Sequence, residues 1–131
     1  MKVDDINAIN TTALAYMGDA VYEQAVREHI MKKGSYHVHN MHMNAINFVK
    51  AAAQAKIIKT MFHDLPENEQ KLVKRARNKK FATKAKNADP VTYKWATAFE
   101  ALVGYLYLAD ETERLQTVLS RAIEIAEKGE K

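Results

Sequence analysis

The chain is predicted to fold as an all-α protein, and three observations carry that reading. Apolar residues recur at helical spacings along most of the 131 residues, helix-starting residues precede those runs, and no stretch alternates apolar with polar as a half-buried strand does. Only four glycines and two prolines interrupt a composition that is 47% apolar and 27% charged, which suits a helical protein and speaks against disorder. At this length the expectation is one domain spanning residues 1–131 with a single core.

The elements follow in order. Asn10, Thr11 and Thr12 are capping residues ahead of Leu14, Met17, Val21, Ala25 and Ile30, so a helix is expected over about 12–32, closed by Lys32, Lys33 and Gly34. The stretch SYHVHNMHMN reads as a polar connector. Ile46, Val49, Ala53, Ile57 and Met61 then line one face of an alanine-rich helix that ends near His63.

Pro66 suits the first position of the next helix, with Glu67 and Glu69 at its positive end and Lys74, Arg75 and Arg77 toward its negative end. Leu72, Val73 and Ala76 are its apolar face. NKKFATKAKNAD has no period and reads as a mobile loop. Asp89 and Pro90 then start a long helix, VTYKWATAFEALVGYLYLA, and a final amphipathic helix runs from Glu111 to about Glu127.

Composition also excludes functions. With no cysteine there is neither a disulfide framework nor a thiol nucleophile. The opening MKVDDINAINTTA has no apolar run of a signal peptide, and no window approaches the ~18 to 20 apolar residues of a membrane span, so the expected location is cytoplasmic with no membrane partner.

Chemistry concentrates in three places. In TTALAYMGDAVYEQAV, Gly18 and Asp19 interrupt an otherwise apolar helix, and an interior glycine is tolerated where another backbone or a ligand comes close. Glu100 in AFEALVGYLYL, with Gly104 one turn later, repeats the pattern on the other strongly apolar helix. Either acid alone reads as a partly exposed carboxylate or one satisfied by a lysine. Two such pairs point instead to a compensating cation, because carboxylates stay ionised in apolar surroundings only when paired. If the helices pack, Asp19 and Glu100 converge on a hard ion such as Mg²⁺, which prefers oxygen ligands and can activate water against a phosphodiester.

The third place is KLVKRARNKKFATKAKN. Lys71, Lys74, Arg75, Arg77, Lys79, Lys80, Lys84 and Lys86 fall there without one acid, leaving the remainder of a +4 chain net negative. A solvated helix face is the alternative; an acid-free run this long favours a phosphate backbone. Few aromatics accompany it, so duplex RNA, read through phosphates and 2′-hydroxyls, fits better than a stacked single strand, with Asn78 adding hydrogen bonds to sugar or phosphate.

YMGDAVYE at 16–23 and TAFEALVGYLYL at 97–108, in this order, resemble the two signature helices of the ribonuclease III catalytic domain. With KRARNKK and NADPVTYKWATAFEAL included, the chain is similar to the short branch of that family over about residues 10–125. The resemblance implies a homodimeric helical bundle without a separate double-stranded RNA-binding domain. It implies Mg²⁺-dependent cleavage of double-stranded RNA to 5′-phosphate and 3′-hydroxyl ends, and a role in maturing the precursor of large-subunit (23S) ribosomal RNA, in some members with a ribosomal protein assisting. Asp19 and Glu100 match the catalytic, metal-binding acids of the two signatures. Longer relatives carry two more acids, where this chain has Ala15 and Thr97. Glu23, one turn after Asp19, is a candidate to replace a missing ligand directly or through water. Tyr16 holds the place of an aromatic residue that inserts into the partner subunit, which puts Tyr16, Met17 and Val21 at an expected dimer interface, core packing being the alternative for the last two.

A second class stays open at this stage, an inert RNA-binding or ribosome-assembly factor on the same fold. Asp19 and Glu100 favour the enzyme; Ala15 and Thr97 keep the alternative open. His37, His39 and His42 lack a fourth ligand for zinc and read as a surface cluster, and Tyr93, Trp95, Tyr105 and Tyr107 read as core or interface packing.

Overall fold

The computed structural model describes residues 1–34, 36–80 and 89–129, and among them the regular structure is entirely helical. Seven α-helices follow one another: α1 (Val3–Asn7), α2 (Thr11–Lys32), α3 (Val38–Val49), α4 (Ala51–Met61), α5 (Glu67–Asn78), α6 (Pro90–Leu108) and α7 (Thr112–Lys128), with a 3₁₀ turn at Phe62–Asp64. The predicted NKKFATKAKNAD loop falls largely on residues 81–88, outside the described residues. No helix among the described residues is long and apolar enough to cross a membrane.

Helix α6 is the centre of the bundle, packed against α2, α4, α5 and α7. Its ends behave as the sequence indicates: the Asp89 carboxylate accepts from the Thr92 backbone N–H at 3.3 Å, with Pro90 in the first turn. Asn10 caps α2 in the same way, accepting from the Ala13 N–H at 2.9 Å. From α6, Ala98, Phe99, Ala101, Leu102 and Val103 are fully buried, and Leu14, Tyr22 and Val26 of α2 meet them. Tyr22 ties three helices together: its ring packs edge-on against Phe99 with centroids 4.9 Å apart, and its hydroxyl donates to the Phe48 carbonyl at 3.0 Å.

Five details differ from the sequence expectation. Much of the expected connector SYHVHNMHMN is helical, because α3 begins at Val38. Met41, Ala45 and Phe48 turn toward the core at spacings of four and three, a stripe disguised by the histidines and asparagines between them. The single helix expected from about Ile46 to near His63 is two, broken where Lys50 takes an extended backbone, φ −62° and ψ 152°. No proline or glycine announces that break; it is held by the Gln54 side chain, whose Nε2 donates to the Val49 carbonyl at 2.8 Å.

Pro66 is the cap before α5 rather than its first residue. Glu69, expected to act on the helix dipole, is also buried and paired in fork geometry with Arg114 of α7, at 2.9 Å from both Nε and Nη2. Short α1 has too few residues to show a period; it forms because Ile6 is fully buried.

Candidate active site

The two glycines singled out in the sequence lie against each other's helices. A Cβ built on Gly18 would stand 1.7 Å from the Glu100 carbonyl oxygen, and one on Gly104 would stand 1.9 Å from that of Leu14. The α2 and α6 backbones therefore touch, which only residues without a side chain permit. This contact sets the site: it brings residue 19 beside residue 100.

The structure accordingly joins the Asp19 and Glu100 side chains within hydrogen-bonding reach, Asp19 exposed and Glu100 half-buried. Burial foremost, then the hydrogen bond and negative charge of Asp19, push the Glu100 carboxyl up to about 8; a contact from the buried Gln54 amide works in the opposite direction. Two acids this close resist joint ionisation without a cation between them.

A stability consequence follows for the cation-free protein. The unfolded chain releases the Glu100 proton above its ordinary value of 4.5, the folded protein only above about 8. The stabilisation from this group is thus full below 4.5 and is lost as pH rises through 8. Melting curves of chelated protein should show a temperature that falls across this window, and Glu100→Gln should flatten the fall.

The positions of the two absent acids are closed. Ala15 and Thr97 are each 6% exposed, and the Thr97 hydroxyl donates to the Tyr93 carbonyl at 2.9 Å. Glu23 is ion-paired with Arg27 at 3.0 Å. Among the described residues no three histidine, aspartate or glutamate side chains gather as a metal site. The chemistry of Asp19 and Glu100 still fits a hard divalent cation: two carboxylate oxygen donors, one held toward neutrality by burial and by its partner's charge, on an edge open to solvent.

The basic residues that the structure describes gather on α5 and its end. Lys74 and Arg75 are exposed; the Lys74 ammonium lies 5.7 Å from the centroid of the Phe62 ring. Arg77 stacks its guanidinium 4.9 Å from the Trp95 centroid and donates from Nε to Asn78 Oδ1 at 3.1 Å. Lys79 is half-buried and Lys80 exposed, while Lys84 and Lys86 lie outside the described residues.

Trp95 is more than the packing residue expected from sequence, since Lys59 of α4 also lies 5.7 Å from its ring. It gathers cations from two helices. On α6, Trp95 precedes Glu100 by five positions, roughly 7.5 Å along the axis and about 140° around it, so the two lie on different sides of the helix. Lys59, Trp95 and Gln54 carry no signal in the linear sequence; their roles exist only once α4, α5 and α6 pack. His37, His39 and His42 are exposed at the start of α3. Tyr16 is 81% exposed, whereas Met17 and Val21 are half-buried and Val21 packs on the core.

A bundle of helices presenting paired acids and a cationic face fits a helical nuclease domain, and the Ribonuclease III domain family matches residues 12–111. Mini-ribonuclease 3 of Brevibacillus brevis is 45% identical, covering 94% of this chain and 92% of its own, and that of Symbiobacterium thermophilum is 47% identical over 89% and 90%. A crystal structure of a protein from Fusobacterium nucleatum superposes with a TM-score of 0.81 at 30% identity, covering 95% of this chain and 98% of that one. The chain belongs to the ribonuclease III family, in the branch whose members carry the name Mini-ribonuclease 3. It is an endoribonuclease, in a family that acts on double-stranded RNA and generally depends on a divalent metal.

Proposed function

We propose that this endoribonuclease hydrolyses double-stranded RNA at a centre built on Asp19 and Glu100, with Mg²⁺ as the ion and 5′-phosphate and 3′-hydroxyl ends as products. The observation that carries the reading is the meeting of the two acids at the Gly18–Gly104 contact. Mg²⁺ held there supplies charge to polarise a phosphodiester and favours ionisation of an attacking water. The protein does the rest. Asp19 presents its carboxylate from the solvent side, and Glu100 is held from within the bundle. Lys74, Arg75, Arg77, Asn78, Lys79, Lys80, Lys84 and Lys86 bind phosphates and sugars along the duplex, fixing its register without reading sequence.

The active form is a homodimer, which places two centres on the two strands of one duplex. Supporting this are the open ring of Tyr16 on a core helix and a hollow of about 320 Å³ in which Ile30, Met31, Val38, Met41 and Ala45 lie beside Glu23, Arg27 and His42, a partly apolar surface that a second copy can cover. Tyr16, Met17 and Val21 belong to that interface. The substrate is the large-subunit (23S) ribosomal RNA precursor, with a ribosomal protein as an assisting partner, as the resemblance to the short branch implies; the location is the cytoplasm.

The test is to incubate the purified chain with long RNA duplexes, with Mg²⁺ or with chelator. Cutting is expected with Mg²⁺ and on duplex only. Binding without cutting, across several structured RNAs and with Mg²⁺ present, would return the protein to the class of inert assembly factors.

A further inference from the structure

Gln54 is 3% exposed, yet a cap for the broken end of α3 uses only part of its amide. Nε2 serves the Val49 carbonyl, and the same amide faces Glu100 closely enough to oppose the rise of its carboxyl. Its Oε1 is buried with no hydrogen-bond partner among the described residues. Buried polar atoms are almost always satisfied, and one that is not asks for a donor the protein itself does not provide. This oxygen belongs to the same amide that faces Glu100, in a chain where Ala15 and Thr97 leave only two of the expected acids.

We infer that Gln54 is a positioning residue of the cation site: its amide nitrogen holds the Glu100 carboxylate toward Asp19, and its free oxygen accepts from water carried by the bound ion. Mg²⁺ keeps several of its waters when bound by proteins, so such a donor comes with the ion. Residues that orient a metal's direct ligands commonly change affinity 10- to 100-fold when removed. The inference rests on the reading of Asp19 and Glu100 as the cation site.

Mn²⁺ titrated calorimetrically into the full chain tests it, for the wild type, Gln54→Met, Asp19→Asn and Glu100→Gln, with melting curves alongside. Gln54→Met keeps the volume and removes both polar atoms. Its expected result is a Kd for Mn²⁺ raised about 10-fold or more. In duplex cleavage the half-saturating metal concentration should rise likewise, with most of kcat regained at excess metal. A purely structural glutamine would lower Tm and leave the Mn²⁺ Kd unmoved; that result, with binding lost in Asp19→Asn and Glu100→Gln, overturns the role of Gln54 and leaves the site standing. Wild-type affinity in both acid variants removes the site itself. Should Gln54→Met not fold, Gln54→Asn, which keeps an amide but withdraws it by one methylene, is expected to show the same loss of affinity, and an unchanged Kd there is equally decisive against the role.

Discussion

Alanine at Gly18 is expected to destabilise the protein by about 3 kcal/mol or more, against the ~1 kcal/mol that alanine ordinarily gains over glycine inside a helix. The added methyl would sit 1.7 Å from the Glu100 carbonyl oxygen and 2.9 Å from the Gly104 nitrogen. Both are backbone atoms, so no side chain can swing aside; α2 and α6 must separate along the contact that builds the core. In a protein of this size such a loss lowers Tm by roughly 10 °C. Gly104→Ala, 1.9 Å from the Leu14 carbonyl oxygen, should behave alike. Gly129→Ala is the matched control: its methyl meets the end of the flexible Lys56 side chain, at 2.8 Å, and should leave Tm nearly unchanged. Because Asp19 and Glu100 flank the same contact, cleavage by the Gly18 variant should fall even at temperatures where it remains folded. A Tm within about 2 °C of wild type would show that the helices do not touch there.

The second large effect is on chemistry. Asp19→Asn and Glu100→Gln keep shape and remove charge, and each should lower the single-turnover rate of duplex cleavage by ~1000-fold or more, about 4 kcal/mol of transition-state stabilisation. The double variant should be little worse than either single, since groups acting as one unit are not additive. Affinity for the duplex should hold, as the proposed phosphate contacts lie on α5 and beyond. Glu100→Gln should also fold at least as stably as wild type in chelator, having shed an acid that burial and Asp19 disfavour. Retention of activity within tenfold in either variant would remove that acid from the centre.

Much of this site was legible in the chain because its determinants are local. Gly18 next to Asp19, Gly104 one turn after Glu100 and the Asp89–Pro90 start of α6 are each readable within a few residues, and the helix contact then follows from glycine's lack of a side chain. What stayed hidden is long-range. Gln54 looks like one polar residue in an alanine-rich helix, and its link to Val49 and Glu100 needs both the break at Lys50 and the packing of α4 on α6. Trp95 gathers Arg77 and Lys59 across three helices. Helix α3 was obscured for a different reason: Met41, Ala45 and Phe48 supply its buried stripe while polar histidines and asparagines dominate its composition. Glu69 met a cation from α7 that no spacing within α5 can reveal.

The central claim is that α2 and α6, meeting at glycine, place one acid each on a shared cation. Anomalous diffraction from crystals of the protein soaked in Mn²⁺ tests it most directly. A peak at oxygen-ligand distance from both the Asp19 and Glu100 carboxylates, absent from crystals of Asp19→Asn, is the predicted result. Ordered Mn²⁺ elsewhere on an active protein, with these two carboxylates contacting no ion, would contradict it.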